Sequence, residues 1–338
     1  MTIVVTGSVA TDQLMTFAAR FEDQLLPDQL ADISLSFLVE DMHLRRGGVA
    51  ANICFGLAQL GRNPVLVAGV GDDFDDYDRW LRSHGVNTGH LLRCPDLHTA
   101  RFICTTDTAQ NQIASFYPGA MNRAATIDLA EVIRAVGVPA RGDLAGGVEL
   151  VVISPDAPDA MLRHTRACRA LGIPVAADPS QQIARLDGPP LRELVEGARY
   201  LFTNAYESAL LLSKTGWDAP ALLERVGTWV TTRSGEGITI GTAGVTPVQV
   251  EVVPAAAPVD PTGVGDAFRA GFLAGVTAGL EVEHAAMAGA VLATTVLETT
   301  GTQEYVLDPE RTAERLAATY GRDAAAVISA ALPLNHRY

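Results

Sequence analysis

The sequence predicts an α/β protein: a mainly parallel sheet with helices on both faces, plus a small β-rich appendage. Three observations point there. From residue 148 onward, short strand-like runs alternate regularly with helical stretches. Two segments, 13–46 and 98–118, break that rhythm and carry period-2 patterns instead. The length of 338 residues, 48% of them apolar, allows one large core with an appendage. The expected division is a large domain of residues 1–12, 47–97 and 119–338, and a small β lid of 13–46 and 98–118.

In chain order, residues 2–9 read as a buried strand ending in Thr-Gly-Ser. Residues 33–39 alternate apolar and polar, a strand pattern. Gly47-Gly48 interrupts, and 49–60 reads as a helix stopped by Gly61. Residues 64–70 form a strand and 73–84 a helix. The runs 99–106 and 112–117 read as a hairpin. Strands follow at 148–153, 173–177, 199–203, 228–232, 237–241 and 245–253. Helices are expected at 156–171, 190–196, 204–213, 263–279, 282–298, 309–319 and 323–331. The Gly/Pro-rich stretch 137–147 reads as a surface loop, and no internal repeat is evident.

Composition excludes several classes. The net charge is −14 and the pI about 4.9, which argues against nucleic-acid binding, because phosphate backbones need a basic face. Lys214 is the single lysine, so lysine chemistry is nearly excluded. Cys54, Cys94, Cys104 and Cys168 form no C-x-x-C pair, and His164 with Cys168 makes only two potential ligands. A reducing, cytoplasmic location is expected. No basic n-region precedes Ile3, and no run of ~18 apolar residues suggests a membrane span.

The most informative segment is Asp260-Pro261-Thr262-Gly263-Val264-Gly265-Asp266-Ala267-Phe268, between a strand and an apolar helix. Two glycines at a helix start let the backbone approach a ligand. The free N–H groups of the first turn and the positive end of the macrodipole then make an anion hole. Asp266 adds a carboxylate there. Beside a phosphate it is unfavourable unless it takes a proton, as transfer of a phosphoryl group to a hydroxyl requires. Taken alone, Gly-x-Gly-Asp reads better as a tight turn with a first-turn acid. Neither G-x-x-x-x-G-K-[ST] nor G-x-G-x-x-G is present. Charge on a phosphate must therefore be met by amides, Mg²⁺ and arginines.

The segment resembles the C-terminal signature of the ribokinase-like (phosphofructokinase-B-type) carbohydrate and nucleoside kinases, with Pro261 and Val264 departing from the commonest form. Gly47-Gly48-Val49-Ala50-Ala51-Asn52 resembles the N-terminal signature, and Thr203-Asn204-Ala205-Tyr206-Glu207 an N-x-x-E motif. Thr231-Thr232-Arg233-Ser234-Gly235-Glu236-Gly237 resembles a nucleotide-contacting turn whose first Gly is Ser234 here. The resemblance spans nearly the whole chain and implies a three-layer αβα sandwich with a small β lid. It implies Asp266 as base and Gly263, Val264 and Gly265 as the anion hole. Asn204, Thr232, Ser234, Gly235, Gly237, Thr262 and a mobile Arg185 would contact ATP. Glu207 would hold Mg²⁺ through water, with K⁺ a further candidate cation.

Longer runs, among them 34–39, 98–102, 112–121, 178–182 and 299–304, resemble adenosine kinases of the actinobacterial type. That likeness implies adenosine and ATP as substrates. Ser8, Asp12, Ser36, Gly48 and Asn52 would hold the ribose. Phe102 and Phe116 would flank the base, and Gln181 and Gln182 its polar edge. Asp12 lies where open α/β sheets bind ligands, just past the first strand. The stretch 137–147 is longer than in those relatives. Exposed lid edges suggest a homodimer through the lid. A ribokinase-like sugar kinase acting on ribose or fructose, or a catalytically silent nucleoside-binding protein, are the alternatives.

Overall fold

The computed structural model describes residues 2–25, 34–137 and 147–332. The chain opens with β1 (Thr2–Thr6) and runs at once into β2 (Ala10–Phe17) and β3 (Val39–Gly47). It returns through α1 (Val49–Gln59), β4 (Val65–Val67), β5 (Gly69–Val70), α2 (Asp75–Ser83) and β6 (Leu92–Arg93). A second excursion forms β7 (Ala100–Thr106) and β8 (Gln112–Tyr117). After the 3-10 segment Gly119–Thr126 come α3 (Leu129–Val136), β9 (Val148–Ile153), α4 (Pro158–Leu171) and β10 (Val175–Ala177). Then follow α5 (Gln182–Arg185), α6 (Gly188–Val195), β11 (Tyr200–Asn204), α7 (Ala205–Thr215), α8 (Ala219–Leu223) and β12 (Thr228–Thr232). The chain ends in β13 (Ile238–Gly241), β14 (Val248–Val250), α9 (Val264–Thr277), α10 (Val282–Leu297), α11 (Pro309–Tyr320) and α12 (Arg322–Ala331).

Among the described residues the large sheet has the order β14-β13-β12-β11-β10-β9-β1-β4. It is parallel from β12 to β4, with β13 and β14 antiparallel at one edge. Alternate residues of one strand enter opposite cores: Ile3 and Val5 of β1, Leu150 and Val152 of β9 and Phe202 of β11 face one side. Val4, Val151, Ile153 and Leu201 face the other. That is the pattern of a sheet buried on both faces. Buried residues of α1, α2 and α9 to α12 line the first core. Those of α3, α4, α6, α7 and α8 line the second, giving the three layers expected.

The lid is a separate four-stranded sheet, β3-β2-β7-β8. Its strands are joined to the large unit by a small cluster of Ala10, Ala100 and Met121. At its far end Phe17, Phe21 and Phe37 pack at centroid distances of 5.0–5.6 Å.

Two expectations from the sequence are corrected by the structure. The expected strand at 33–39 is absent over residues 34–38, which belong to no strand. The alternation there reflects Phe37 packing into the ring cluster, while Leu38 is 89% exposed. The strand begins at Val39 instead; Ile33 lies outside the described residues, as does 138–146 of the expected surface loop. Second, β2 starts at Ala10, so Asp12, read as lying just past the first strand, stands on a lid strand. The strand at 64–70 is also interrupted, at Ala68.

Candidate active site

The site is built around the N-terminus of α9. Gly263 caps it at φ +78°, a left-handed conformation that favours glycine. A Cβ there would stand 2.7 Å from Cγ2 of Thr302, so the loop also needs the missing side chain. Asp260 fastens the loop from both sides: Oδ1 accepts from Thr262 N at 2.9 Å and Oδ2 from Gly301 N at 3.1 Å. The helix itself is set by backbone contact. A Cβ on Gly271 would meet Ala288 O at 2.6 Å, and one on Gly289 would meet Phe268 O at 2.6 Å. The helices α9 and α10 thus touch main chain to main chain, and the first-turn amides project from a fixed tip.

Asp266 lies in that first turn, partly exposed. Its Oδ2 accepts from Nδ2 of Asn52 at 2.8 Å. Asn52 is oriented in turn, its Oδ1 accepting from Thr302 Oγ1 and Gln303 Nε2, each at 2.9 Å. Gln303 Nε2 also donates to the Tyr77 hydroxyl at 2.5 Å, which donates to Gly47 O at 2.9 Å. Burial pushes the Asp266 carboxyl up to about 6; Arg269 and the Asn52 hydrogen bond act against this, and Glu207 acts with it. The helix macrodipole would favour the ionised form by ~0.3–1 kcal/mol. Desolvation outweighs it and leaves a carboxyl that changes charge near neutral pH.

Asp12 closes the site from the lid. A Cβ on Gly47 would lie 2.9 Å from its Oδ2, which places the carboxylate against the Gly47-Gly48 turn. Burial, then the charges of Asp260 and Asp266, push it up to about 6. The two carboxylates therefore face one cleft. Register places Arg45, Asp12, Phe102 and Phe116 directly opposite one another across β3, β2, β7 and β8. Opposed residues share a face, so an acid and two aromatic rings line the inner side of the lid. Phe102 is half-buried and Phe116 is 48% exposed.

Other residues singled out in the sequence sit as follows. Gly48, at φ +93°, precedes α1, and Ser8 Oγ accepts from Val49 N at 3.1 Å as a cap for that helix. Ser36 is exposed on the unpaired segment. Gln181 is exposed, whereas Gln182 is buried and donates to Asp156 O at 2.8 Å. That places its amide in the interior, because α5 turns its first residue inward. Arg185 is exposed. Asn204 and Glu207 cap α7 reciprocally, each side chain accepting the other's N–H at 2.8 Å. Thr232 ends β12, and Ser234 adopts φ +49° where the motif's usual glycine would be at ease. Gly235 is exposed on that turn, and Gly237 at φ +92° lies against Val250 O. Thr262 is exposed beside Asp260.

The acids Asp12, Asp260, Asp266 and Glu207 act on one another electrostatically. Such oxygens fit Mg²⁺, which usually takes one or two carboxylates and completes its shell with water and phosphate. Among the described residues the tight triplet of potential ligands is elsewhere, at Asp72, Asp73 and His98. A protein-only cage is therefore not formed at the cleft. The apolar hollow of about 260 Å³ among Leu60, Val291, Leu316 and Leu332 likewise lies under α10 to α12, away from these groups.

Sequence reasoning missed Tyr77, Thr302, Gln303 and Arg269. The run 299–304 carries a likeness in sequence that assigns it no role; in the structure it holds Asn52.

An amide-rich helix tip, a poised carboxylate and a covering sheet define a phosphotransferase site of the kind that needs no P-loop lysine. The chain matches the pfkB family of carbohydrate kinases over residues 6–309 and belongs to that family. It is 28% identical to a nucleoside kinase of Methanocaldococcus jannaschii over 80% of this chain and 85% of the relative. It is 29% identical to a nucleoside kinase of Methanothermobacter thermautotrophicus over 87% and 92%. Among solved structures, Burkholderia thailandensis nucleoside kinase in complex with inosine superposes with a TM-score of 0.79 at 31% identity, covering 94% of this chain and 98% of that one. The fold is ribokinase-like. No helix among the described residues is long and apolar enough to cross a membrane.

Proposed function

We propose that the chain is a nucleoside kinase that transfers the γ-phosphate of ATP to the 5′-hydroxyl of adenosine, giving AMP and ADP. The observation that carries this is the inner row Asp12, Phe102 and Phe116, which ends beside the tip that holds Asp266. An acid next to two rings suits a ribose joined to a flat base. A free sugar would leave the rings without a partner. Base stacking on such rings is worth ~1–3 kcal/mol. The kinship with archaeal nucleoside kinases supports the same class.

In this mechanism Asp12 accepts hydrogen bonds from the ribose diol, and the rings hold the base. The 5′-hydroxyl gives its proton to Asp266 as its oxygen attacks the γ-phosphorus in line. The bond to the ADP oxygen breaks, and the amides of 263–265 carry the charge on the transferring group. Glu207, backed by Asn204, would hold Mg²⁺ through water; bound with ATP, the ion would neutralise phosphate charge. A homodimer formed through the lid is part of the proposal. The outer lid face presents Met42, Leu44, Ile113 and Tyr117, 42–64% exposed.

The test is kcat/KM for adenosine, inosine and ribose with Mg²⁺-ATP. Adenosine is expected to lead. An inosine preference would keep the class and change the base; the Burkholderia nucleoside kinase is seen in complex with inosine. A preference for ribose would end the proposal.

A further inference from the structure

Kinase chemistry needs positive charge near the phosphates, yet Lys214 is occupied, donating to the carbonyls of Ala184 and Leu186. Among the described residues no other arginine or lysine is buried as Arg269 is, at 6% exposure. It stands one turn past Asp266 on α9, and none of the sequence motifs accounts for it. Its Nε lies 2.7 Å from Oδ2 of Asp178, which is fully buried at the end of β10. Neither that Nε nor either Asp178 oxygen has an aligned hydrogen bond. The contact is charge against charge rather than a bidentate fork. A Cβ on Gly265 would come within 2.9 Å of Nη1. The guanidinium is thus pressed against the second glycine of the anion hole from inside, with its carbon 5.7 Å from the Phe202 ring centre.

We infer that Arg269 is a positioning residue for phosphoryl transfer: braced on Asp178, it seats the first turn of α9 and holds a buried positive charge behind the amides. The inference rests on the kinase reading of this cleft. A methyl at residue 265 would have to push the guanidinium aside. The placement of Arg269 explains how the buried Asp178 and the partly exposed Asp266 are tolerated side by side: both feel the one cation. The groups that act on Asp266 are Arg269 on its own helix, Asn52 from α1, Glu207 from α7, Asp178 from the end of β10, Asp12 from β2, and Tyr305 ahead of α11. Arg269 is the positive member of that set.

Three variants test this: Arg269→Met, Arg269→Lys, and Asp178→Asn combined with Arg269→Met. Removing one partner leaves a charge buried alone, so Arg269→Met should lower the Tm, and the double variant should recover most of it. If Arg269 positions the tip, kcat falls about 100-fold in both. The acid limb of the kcat pH profile moves up by about one unit in Arg269→Met and by less in the double variant, where the charge of Asp178 is lost as well, and nucleoside Kd changes less than about threefold. Arg269→Lys keeps the charge without the planar fork. It should keep the wild-type limb while losing about tenfold in kcat. Recovery of kcat together with Tm in the double variant would mean that Arg269 only neutralises Asp178, and the inference would fall. Should Arg269→Met not fold, the double variant and Arg269→Lys still separate these two outcomes. A wild-type chain that makes no ADP would instead sink the kinase reading itself.

Discussion

The tip of α9 and the lid sheet face each other across the cleft, and they are built on opposite principles. The tip is held by main-chain contact at Gly271 and Gly289, by Asp260 on its loop, and by a chain of side chains from Tyr77 to Asp266. The lid has little core of its own: Ala10, Ala100 and Met121 near the hinge and three phenylalanines at the far end. Reacting atoms must be placed to a fraction of an ångström, whereas a base must be admitted, covered and released. In the proposed mechanism the chemistry falls on the braced tip and the recognition on the lid, which has the smaller buried core.

The largest effect that would sharpen this contrast is expected from Asp266→Asn. It removes the proton acceptor but keeps the shape and the Asn52 contact. Turnover should fall about 10³–10⁴-fold, with nucleoside Kd from calorimetry within a few-fold of wild type. The wild-type profile should lose activity as pH falls through about 6, because the base must be ionised and protonation silences it. Asp12 rises to about 6 as well, so the limb belongs to the pair. An unchanged turnover in the Asn variant would move the chemistry away from the tip.

Phe116→Ala should act on the lid side. Stacking of ~1–3 kcal/mol converts to roughly 5- to 150-fold in KM for adenosine. Because the ring is half in solvent, Tm should shift by little, and kcat should hold. A large fall in Tm with an unchanged KM would make the ring a packing residue. The smallest effect is expected from Leu44→Glu on the outer lid face, where the side chain is 64% exposed. Light scattering should show a shift from dimer to monomer with Tm altered by little. A dimer that persists unchanged would place the interface elsewhere.

How much of this was legible in the sequence follows the same divide. The helices α9 and α10 and strands such as Thr228–Thr232 read cleanly, because a covered sheet leaves a strong apolar signal. Of the lid strands, the hairpin of β7 and β8 read cleanly as well, whereas β2 and β3 did not. In Val39–Gly47 (Glu40, Asp41, His43, Arg45, Arg46) polar residues fall on both faces of an edge strand, so no alternation marks it. The neighbouring Ser34 to Leu38 alternates without any partner strand. At the site, the loop and Asp266 were legible because glycine spacing and a first-turn acid are local features. Asn52 read as a ribose contact, and its tie to Asp266 was not legible; Gln182 read as a base contact, and its amide donates to Asp156 O. Both depend on partners remote in sequence, as does Arg269 with Asp178. Local patterns carry no trace of such pairs.

The close meeting of α9 and α10 has one more consequence. Where main chain rests on main chain, no side chain is available to rearrange and absorb heat or substitution. Sliding either helix by one residue would drive methyl groups into carbonyl oxygens. The catalytic geometry is therefore kept by hard stops rather than by a cushion. On warming, turnover should follow the chemistry up to the point where the whole sandwich melts, without an earlier softening of the tip.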